Sequence, residues 1–151
     1  MAGADLRERA LRHLAQREHS RAELTRKLAG HGSAEEIDAV LDRLAEVELQ
    51  SDARFAGAWV RNRAARFGTA RLRHDLASRG VDAGLIDAAL GDEMADDELE
   101  RARRVWAAKF GQAPGDAREW ARQARFLQGR GFAVAVIRKL LKETPDESAE
   151  G

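Results

Sequence analysis

Apolar residues recur every three or four positions along much of the chain, which is the spacing of one face of an α-helix. Leu6, Ala10 and Leu14 form one such stripe, and a second runs from Ile37 to Val47. Strand signals are nearly absent, since Val and Ile are few, Tyr is missing, and the helix formers Ala, Leu, Arg and Glu dominate. The pattern therefore predicts an all-α fold. The predicted helices are 4–17, 21–30, 34–48, 52–66, 70–79, 83–90, 95–110, 117–129 and 133–143.

Several predicted helix ends carry residues that cap helices. Ser20 and Ser33 each precede a glutamate by three residues, which is the capping box in which hydroxyl and carboxylate satisfy backbone donors. Asp116 stands in the same relation to Glu119 and resembles this device with an aspartate cap. Glycine ends helices readily because it adopts the left-handed conformation without strain. The glycines at predicted helix ends are Gly30, Gly32, Gly68, Gly80, Gly91, Gly111 and Gly131.

One segment of the sequence recurs three times, with apolar residues and glycine in the same order. The aligned sets are Leu28, Leu76 and Leu127; Gly32, Gly80 and Gly131; Ile37, Ile86 and Ile137; and Leu41, Leu90 and Leu141. A single unit of about fifty residues buries its apolar face poorly, whereas stacked units share a core. The sequence therefore predicts three tandem three-helix repeats that form an elongated, curved helical array. We expect repeats over 1–50, 51–92 and 93–144, followed by an acidic disordered tail over 145–151.

The formal net charge of zero conceals a strong segregation of charge along the chain. Residues 53–81 contain seven arginines and one acid, a net charge of +6, and residues 101–142 contain eleven bases and two acids, a net charge of +9. Between them, residues 82–100 contain eight acids and no base. The outer segments 1–52 and 143–151 carry net charges of −3 and −4. Such local fields favour a polyanion or a charged partner, and charge scattered on solvated helix faces is the simpler alternative.

Twelve basic residues of these two blocks form the candidate binding site. They are Arg54, Arg61, Arg63, Arg66, Arg71, Arg73, Arg79, Arg122, Arg125, Arg130, Arg138 and Lys139. Arginine presents a planar fork that pairs with phosphates or with carboxylates. The stripe could therefore follow a sugar–phosphate backbone or meet acidic residues of a protein partner, and the sequence does not separate the two.

No arrangement of residues indicates catalysis, a metal or a cofactor. There is no cysteine, and no two of the four histidines have the i, i+4 spacing of a helical zinc site. Walker, GxGxxG and GxSxG motifs are absent. The adjacent acids of Glu35–Glu36 and Asp96–Glu98 lie at predicted helix starts, where acids stabilise the helix dipole. We therefore expect a binding protein that is not an enzyme and needs no cofactor.

The aromatic residues have the spacing of a helical core. Trp59 lies four residues after Phe55, and Trp106 lies four residues before Phe110. Stacking on nucleic-acid bases is the alternative, and it is strongest for Trp120. The N-terminus lacks the apolar segment of a secretory signal, and no stretch approaches the ~20 apolar residues of a membrane span. We therefore expect a soluble, cytoplasmic protein with no membrane partner.

The chain is similar to the RecX regulatory proteins through the stretches SRAELTRKL, DARFAGAWVRNRAARFGTARLRHDLASRGVD, RARRVWAAKF and FLQGRGFAVAVIRKLL. The likeness runs from about Leu6 to Glu143. Asp75 departs from the family pattern, in which many members carry glutamate, and the acidic tail is a further departure. The residues that carry the likeness are Asp52, Phe55, Ala56, Arg61, Arg63, Gly68, Arg71, Leu72, Leu76 and Gly80, followed by Phe126, Leu127, Arg130, Gly131 and Phe132.

The resemblance implies a function as well as three tandem three-helix repeats. Its implied partner is the RecA recombinase filament on single-stranded DNA, which such proteins bind in the helical groove to limit filament growth, ATP hydrolysis and strand exchange. This places the chain in homologous recombination, DNA repair and the SOS response, as a negative regulator that we expect to be a monomer. It would contact single-stranded DNA directly or through RecA. A stand-alone nucleic-acid-binding module, a helical-repeat protein adaptor and an enzyme with an unrecognised site are the alternatives.

Overall fold

The computed structural model describes residues 2–94 and 97–142, which form nine α-helices and no strand. The all-α prediction is confirmed, and each predicted helix has a counterpart. The predicted helix start at Ala95, the neighbouring Asp96, the helix end at Glu143 and the tail 145–151 lie outside the described residues. The helices are α1 (Ala2–Gln16), α2 (Arg21–Leu28), α3 (Ala34–Glu46), α4 (Asp52–Arg63), α5 (Thr69–Ser78), α6 (Ala83–Glu93), α7 (Glu98–Lys109), α8 (Ala117–Gly129) and α9 (Val134–Lys142).

The predicted caps are present. The Ser20 hydroxyl accepts from the backbone N–H of Glu23 at 3.1 Å, and the Ser20 N–H donates to the Glu23 carboxylate at 3.0 Å. Ser33 forms the same capping box at the start of α3. At the start of α8 the Asp116 carboxylate accepts from the N–H of Glu119 at 2.8 Å. Each cap satisfies backbone donors that have no partner inside the helix, which fixes where these helices begin.

The first and third repeats each enclose an apolar core. Helices α1, α2 and α3 surround the buried side chains of Leu6, Ala10, Leu24, Leu28, Ile37, Leu41 and Leu44. Helices α7, α8 and α9 surround those of Ala102, Trp106, Leu127, Phe132, Ile137, Leu140 and Leu141. The core position expected for Trp106 is confirmed, and its indole N–H donates to the side-chain oxygen of buried Gln123 at 2.8 Å. Burying the indole therefore leaves no unsatisfied donor.

By its internal contacts the chain forms two compact units. One contains the residues up to Trp59 together with Leu76–Ala89, and the other contains Val60–Asp75 and the chain from Leu90 onward. The border crosses α4, α5 and α6, so each unit combines one terminal repeat with part of the middle one. We refer to them as unit 1 and unit 2.

Unit 1 contains a direct contact between the first two repeats, formed by the turn after α5 and the start of α2. We call this kind of contact a joint. The Ser20 hydroxyl, at the start of α2, donates to the backbone carbonyl of Arg79 at 2.8 Å. The next residue, Gly80, has φ +78°, and a Cβ there would lie 2.5 Å from the Cβ of Ala22. The turn after α5 therefore rests directly on the first turn of α2, and a side chain at Gly80 would separate them.

Unit 2 contains the same joint between the second and third repeats. The N–H of Gly68, at the start of α5, donates to the carbonyl of Arg130 at 2.8 Å, and the N–H of Ala70 donates to that of Gly131 at 3.2 Å. Gly131 has φ +94°, and a Cβ there would lie 2.5 Å from the backbone nitrogen of Arg71. Main chain thus meets main chain, which only glycine permits at this distance.

Three glycines do not end helices as predicted. Gly68 lies before α5 at the joint, and Gly91 lies inside α6, which extends to Glu93. In the turn after α2, Gly30 and not Gly32 adopts the left-handed conformation, with φ +88°. Gly32 instead allows close packing, since a Cβ there would lie 2.7 Å from a methyl group of Leu6. The repeat alignment therefore matches Gly80 with Gly131 in role but not with Gly32.

Candidate functional site

Two of the predicted binding residues, Arg54 and Arg79, lie in unit 1 and have partners there. The Arg54 guanidinium forms an ion pair with Glu18 and donates to the carbonyl of Glu48 at 3.0 Å. Arg79 is centred 4.0 Å above the ring of Trp59, which is half-buried. These contacts link segments within unit 1, because a guanidinium can stack on an aromatic ring or pair with a carboxylate.

Several of the predicted residues in unit 2 are also engaged. Arg61 pairs with Glu93 at 2.8 Å. Arg122 donates to both oxygens of Glu119, at 2.9 and 2.8 Å, and these hydrogen bonds lower the pKa of the Glu119 carboxyl to about 2. Arg63 and Arg73 also interact within the chain. Sequence clustering alone could not show which cations are already paired.

Arg125, Arg138 and Lys139 are exposed on α8 and α9. Within the described ranges, they form no ion pair and lie over no aromatic ring. They remain candidates by exposure and charge alone.

The structure gathers Arg66, Arg71 and Arg130 around the ring of Phe67. Their guanidinium carbons lie 5.6, 4.8 and 5.3 Å from the ring centre. The two backbone hydrogen bonds of the unit 2 joint bring the segment after α4 against the turn after α8, which explains why residues so distant in sequence meet. Phe67 was not identified from the sequence, since no helical stripe includes it.

Beside this cluster is an open groove of about 470 Å³, which we call the cationic groove. Its apolar lining comes from Ala65, Val105, Ala108 and Phe126. Its cationic lining comes from Arg66, Arg104, Lys109 and Arg130. No acidic residue of the described chain lines it, so the groove presents a positively charged lining to a ligand.

Two of these cations are not among the twelve predicted from the sequence. Arg104 and Lys109 lie on α7. Ala108 follows Arg104 by four residues, and Val105 precedes Lys109 by four. One helix face therefore supplies both charge and apolar surface. The basic run RARR preceding Val105 contributes to the net charge of residues 101–142, but its clustering alone does not place it in a site. Helical spacing on α7 is the signal that would have found them.

The aromatic rings at the groove are covered by cations. Arg130 and Lys109 lie 5.1 and 5.4 Å from the ring centre of Phe126, and Phe110 meets that ring edge-on at 5.4 Å. The groove holds no nucleophile with an adjacent base, and no three His, Asp or Glu side chains of the described residues could hold a metal. Its chemistry is that of binding an anionic group beside an apolar one.

The fold and the groove define a helical-repeat protein with a positively charged groove. Family models for RecX match the chain at all three repeats, as the first three-helix domain over residues 7–44, the second over 51–90 and the third over 96–141. The chain belongs to the RecX family.

Relatives and solved structures agree with this assignment. The chain is 53% identical over 138 residues to "Regulatory protein RecX" of Leptothrix cholodnii, covering 91% of this chain and 87% of the relative. It is 43% identical to that of Chromobacterium violaceum, covering 96% and 94%. The crystal structure of RecX from Lactobacillus salivarius has a TM-score of 0.79 at 19% identity, covering 94% of this chain and 96% of the other, which shows a shared fold.

None of the helices in the described ranges is long and apolar enough to cross a bilayer.

Proposed function

We propose that this chain is a negative regulator of the RecA recombinase that binds the RecA filament on single-stranded DNA. In this proposal it limits filament growth, ATP hydrolysis and strand exchange during homologous recombination and DNA repair. It acts as a cytoplasmic monomer that binds and does not catalyse. The observation that carries the proposal is the match of all three repeats to the three domains of a family whose members are named regulatory proteins.

The exposed cations support binding by charge. Acidic side chains of a protein partner and the phosphates of single-stranded DNA both attract a surface rich in arginine. Such contacts weaken with salt because ions screen exposed charges beyond about 10 Å at ~0.1 M ionic strength. The boundaries at 50, 92 and 144 remain our proposal for the limits of the repeats.

The test is the single-stranded-DNA-dependent ATPase rate of the RecA protein from the same organism, titrated with this chain. Fluorescence anisotropy of the same DNA without RecA is measured in parallel. We expect inhibition well below one molecule per recombinase, with weak binding to bare DNA and loss of inhibition as salt rises. An unchanged ATPase rate at excess protein, together with tight binding to bare DNA, would instead identify a stand-alone nucleic-acid-binding module.

A further inference from the structure

We propose that the cationic groove binds a segment of a protein partner that carries acidic residues beside one or two large apolar side chains. The proposal rests on the function proposed above and names the chemistry by which this surface recognises its partner. It assigns the groove to a protein segment and not to DNA, a choice that the sequence left open.

The size and lining of the groove suit an apolar side chain. Its volume of about 470 Å³ lies within the ~300–1,000 Å³ of typical ligand pockets. Val105 and Phe126 provide the larger apolar surfaces, and the small side chains of Ala65 and Ala108 leave room above them. A leucine or phenylalanine of the partner would bury apolar area there that a phosphate could not use.

The charges around the groove suit carboxylates on both sides of that side chain. Arg66 approaches from the segment after α4, Arg104 and Lys109 from α7, and Arg130 from the end of α8. The cations therefore come from three separate segments of unit 2 and not from one row. Carboxylates spaced along an extended peptide can each meet a guanidinium fork, and such charge-assisted pairs are stronger than neutral hydrogen bonds.

The aromatic rings argue against single-stranded nucleic acid in this groove. Proteins that bind single strands stack bases on open aromatic faces. Here three guanidinium groups lie near Phe67, and two cations lie over Phe126. A base stacked face-to-face on Phe126 would have to displace these cations. An apolar side chain needs only the part of the ring that lines the groove, and acidic residues beside it pair with the cations where they are.

The probe is a synthetic fluorescent peptide with acidic residues on both sides of a Leu-Phe pair. A second peptide of the same charge carries Ser-Gly in place of the pair, and a short oligothymidylate is the nucleic-acid competitor. The groove variant is Arg66→Glu with Lys109→Glu. The matched control is Arg26→Glu with Lys27→Glu, two exposed cations on α2 whose reversal changes the net charge equally. Circular dichroism melts verify that both variants fold.

We expect the Leu-Phe peptide to bind the unaltered protein more tightly than the Ser-Gly peptide. The groove variant should lose about tenfold or more in affinity, because two charge-assisted contacts become repulsive, while the control stays within about twofold. Inhibition of the RecA ATPase should weaken in the groove variant and persist in the control.

Other outcomes separate this proposal from the function on which it rests. Equal binding of both peptides, or displacement of the Leu-Phe peptide by oligothymidylate at lower concentration, would overturn the assignment to a protein segment. Full ATPase inhibition by the groove variant would remove the groove from the filament contact and leave the regulatory function intact. Selective peptide binding with no ATPase inhibition by the unaltered protein would keep the groove and refute the regulatory function.

Discussion

Glu48 has a backbone conformation that its side chain does not favour. It follows α3 with φ 61°, and among the described residues it is the one non-glycine with positive φ. The N–H groups of Leu49 and Gln50 both donate to the carbonyl of Leu44, at 2.9 and 3.2 Å, which closes the end of the helix. This is the position at which helices usually place glycine, since a Cβ in the left-handed region is strained.

Glu48→Gly should raise the free energy of unfolding by up to about 1 kcal/mol, since relief of the strain exceeds the added freedom of the unfolded chain. Urea unfolding followed by circular dichroism measures the change. Glu48→Ala is the control, because it removes the charge but keeps the Cβ, and it should bring no gain. Equal stabilisation by both substitutions would assign the effect to the lost charge.

His19 links stability to pH. Its ring is 2% exposed and its Nδ1–H donates to the carbonyl of Arg17 at 3.0 Å. Burial lowers its pKa below the ordinary value of 6.5, with the nearby positive charge of Arg17 acting in the same direction. The folded state therefore binds the proton less readily than the unfolded chain, so the stabilisation is complete above pH 6.5 and is lost as pH falls below it.

We expect the free energy of unfolding to decline as pH falls below 6.5, with a smaller decline in His19→Gln. Denaturant titrations on both sides of that pH measure the difference between the two slopes. His13, whose ring centre lies 5.6 Å from that of His19, also has a pKa lowered mainly by burial, so some decline should remain in the variant. Identical slopes would show that His19 does not contribute.

At the scale of the element, Gly80 and Gly131 differ from other glycines that end helices, because their turns pack against the start of a helix in the neighbouring repeat. Gly131 and Gly30 both have left-handed backbones, but a Cβ at Gly30 would meet no described atom within 4 Å. At Gly131 the nearest atoms are the backbone and Cβ of Arg71, which cannot move without moving α5. Substitutions at Gly30 and at Gly131 therefore separate the cost of backbone strain from the cost of disrupting the joint.

Gly30→Ala should cost about 1–2 kcal/mol, which is the left-handed strain alone. Gly131→Ala should cost about 2 kcal/mol more, because two backbone hydrogen bonds of the joint are lost as well. Thermal or urea unfolding of the two variants gives both values. Equal costs would mean that the joint relaxes around the new methyl group and that its contacts contribute little.

The sequence predicted the elements better than their junctions. Helical periodicity and capping boxes depend on neighbours within one turn, so Ser20 and Ser33 could be assigned from local spacing. The contact of Gly68 with the turn at Gly131 joins residues 63 positions apart, and no local signal encodes it. The same holds for the cationic groove, because Arg66, Lys109 and Arg130 line it together although they are far apart in the sequence.

At the scale of the whole molecule, α2, α5 and α8, the second helices of the three repeats, differ at their starts. The starts of α2 and α5 pack against the turn of the next repeat along the chain. In α2 and α5 the second helical residue is alanine, and the residue before the helix donates a hydrogen bond to the adjoining turn. In α8 the second residue is Arg118, which is exposed, and the residue before the helix is Asp116, whose carboxylate only accepts. A turn packed against the start of α8 would meet the long side chain of Arg118 and the Asp116 carboxylate, which repels a backbone carbonyl.

Asp116→Ser with Arg118→Ala should therefore promote head-to-tail association, in which the open Gly30 turn of one molecule rests on α8 of the next. Sedimentation velocity should show a mass that grows with concentration in the double variant and stays monomeric in the unaltered chain. Adding Gly30→Val should suppress that growth, since the bulkier side chain blocks the contact. A monomeric double variant at all concentrations would show that these two residues do not prevent stacking.

The joint in unit 2 also bears on how the chain can change over evolutionary time. Its two hydrogen bonds join main-chain atoms, so they survive most replacements of the side chains around them. Substitutions at Arg66, Arg130 and their neighbours can accumulate without loosening the repeats, provided that Gly68 and Gly131 stay fixed. Keeping these two glycines would thus let the surrounding surface change between lineages while the repeats stay joined.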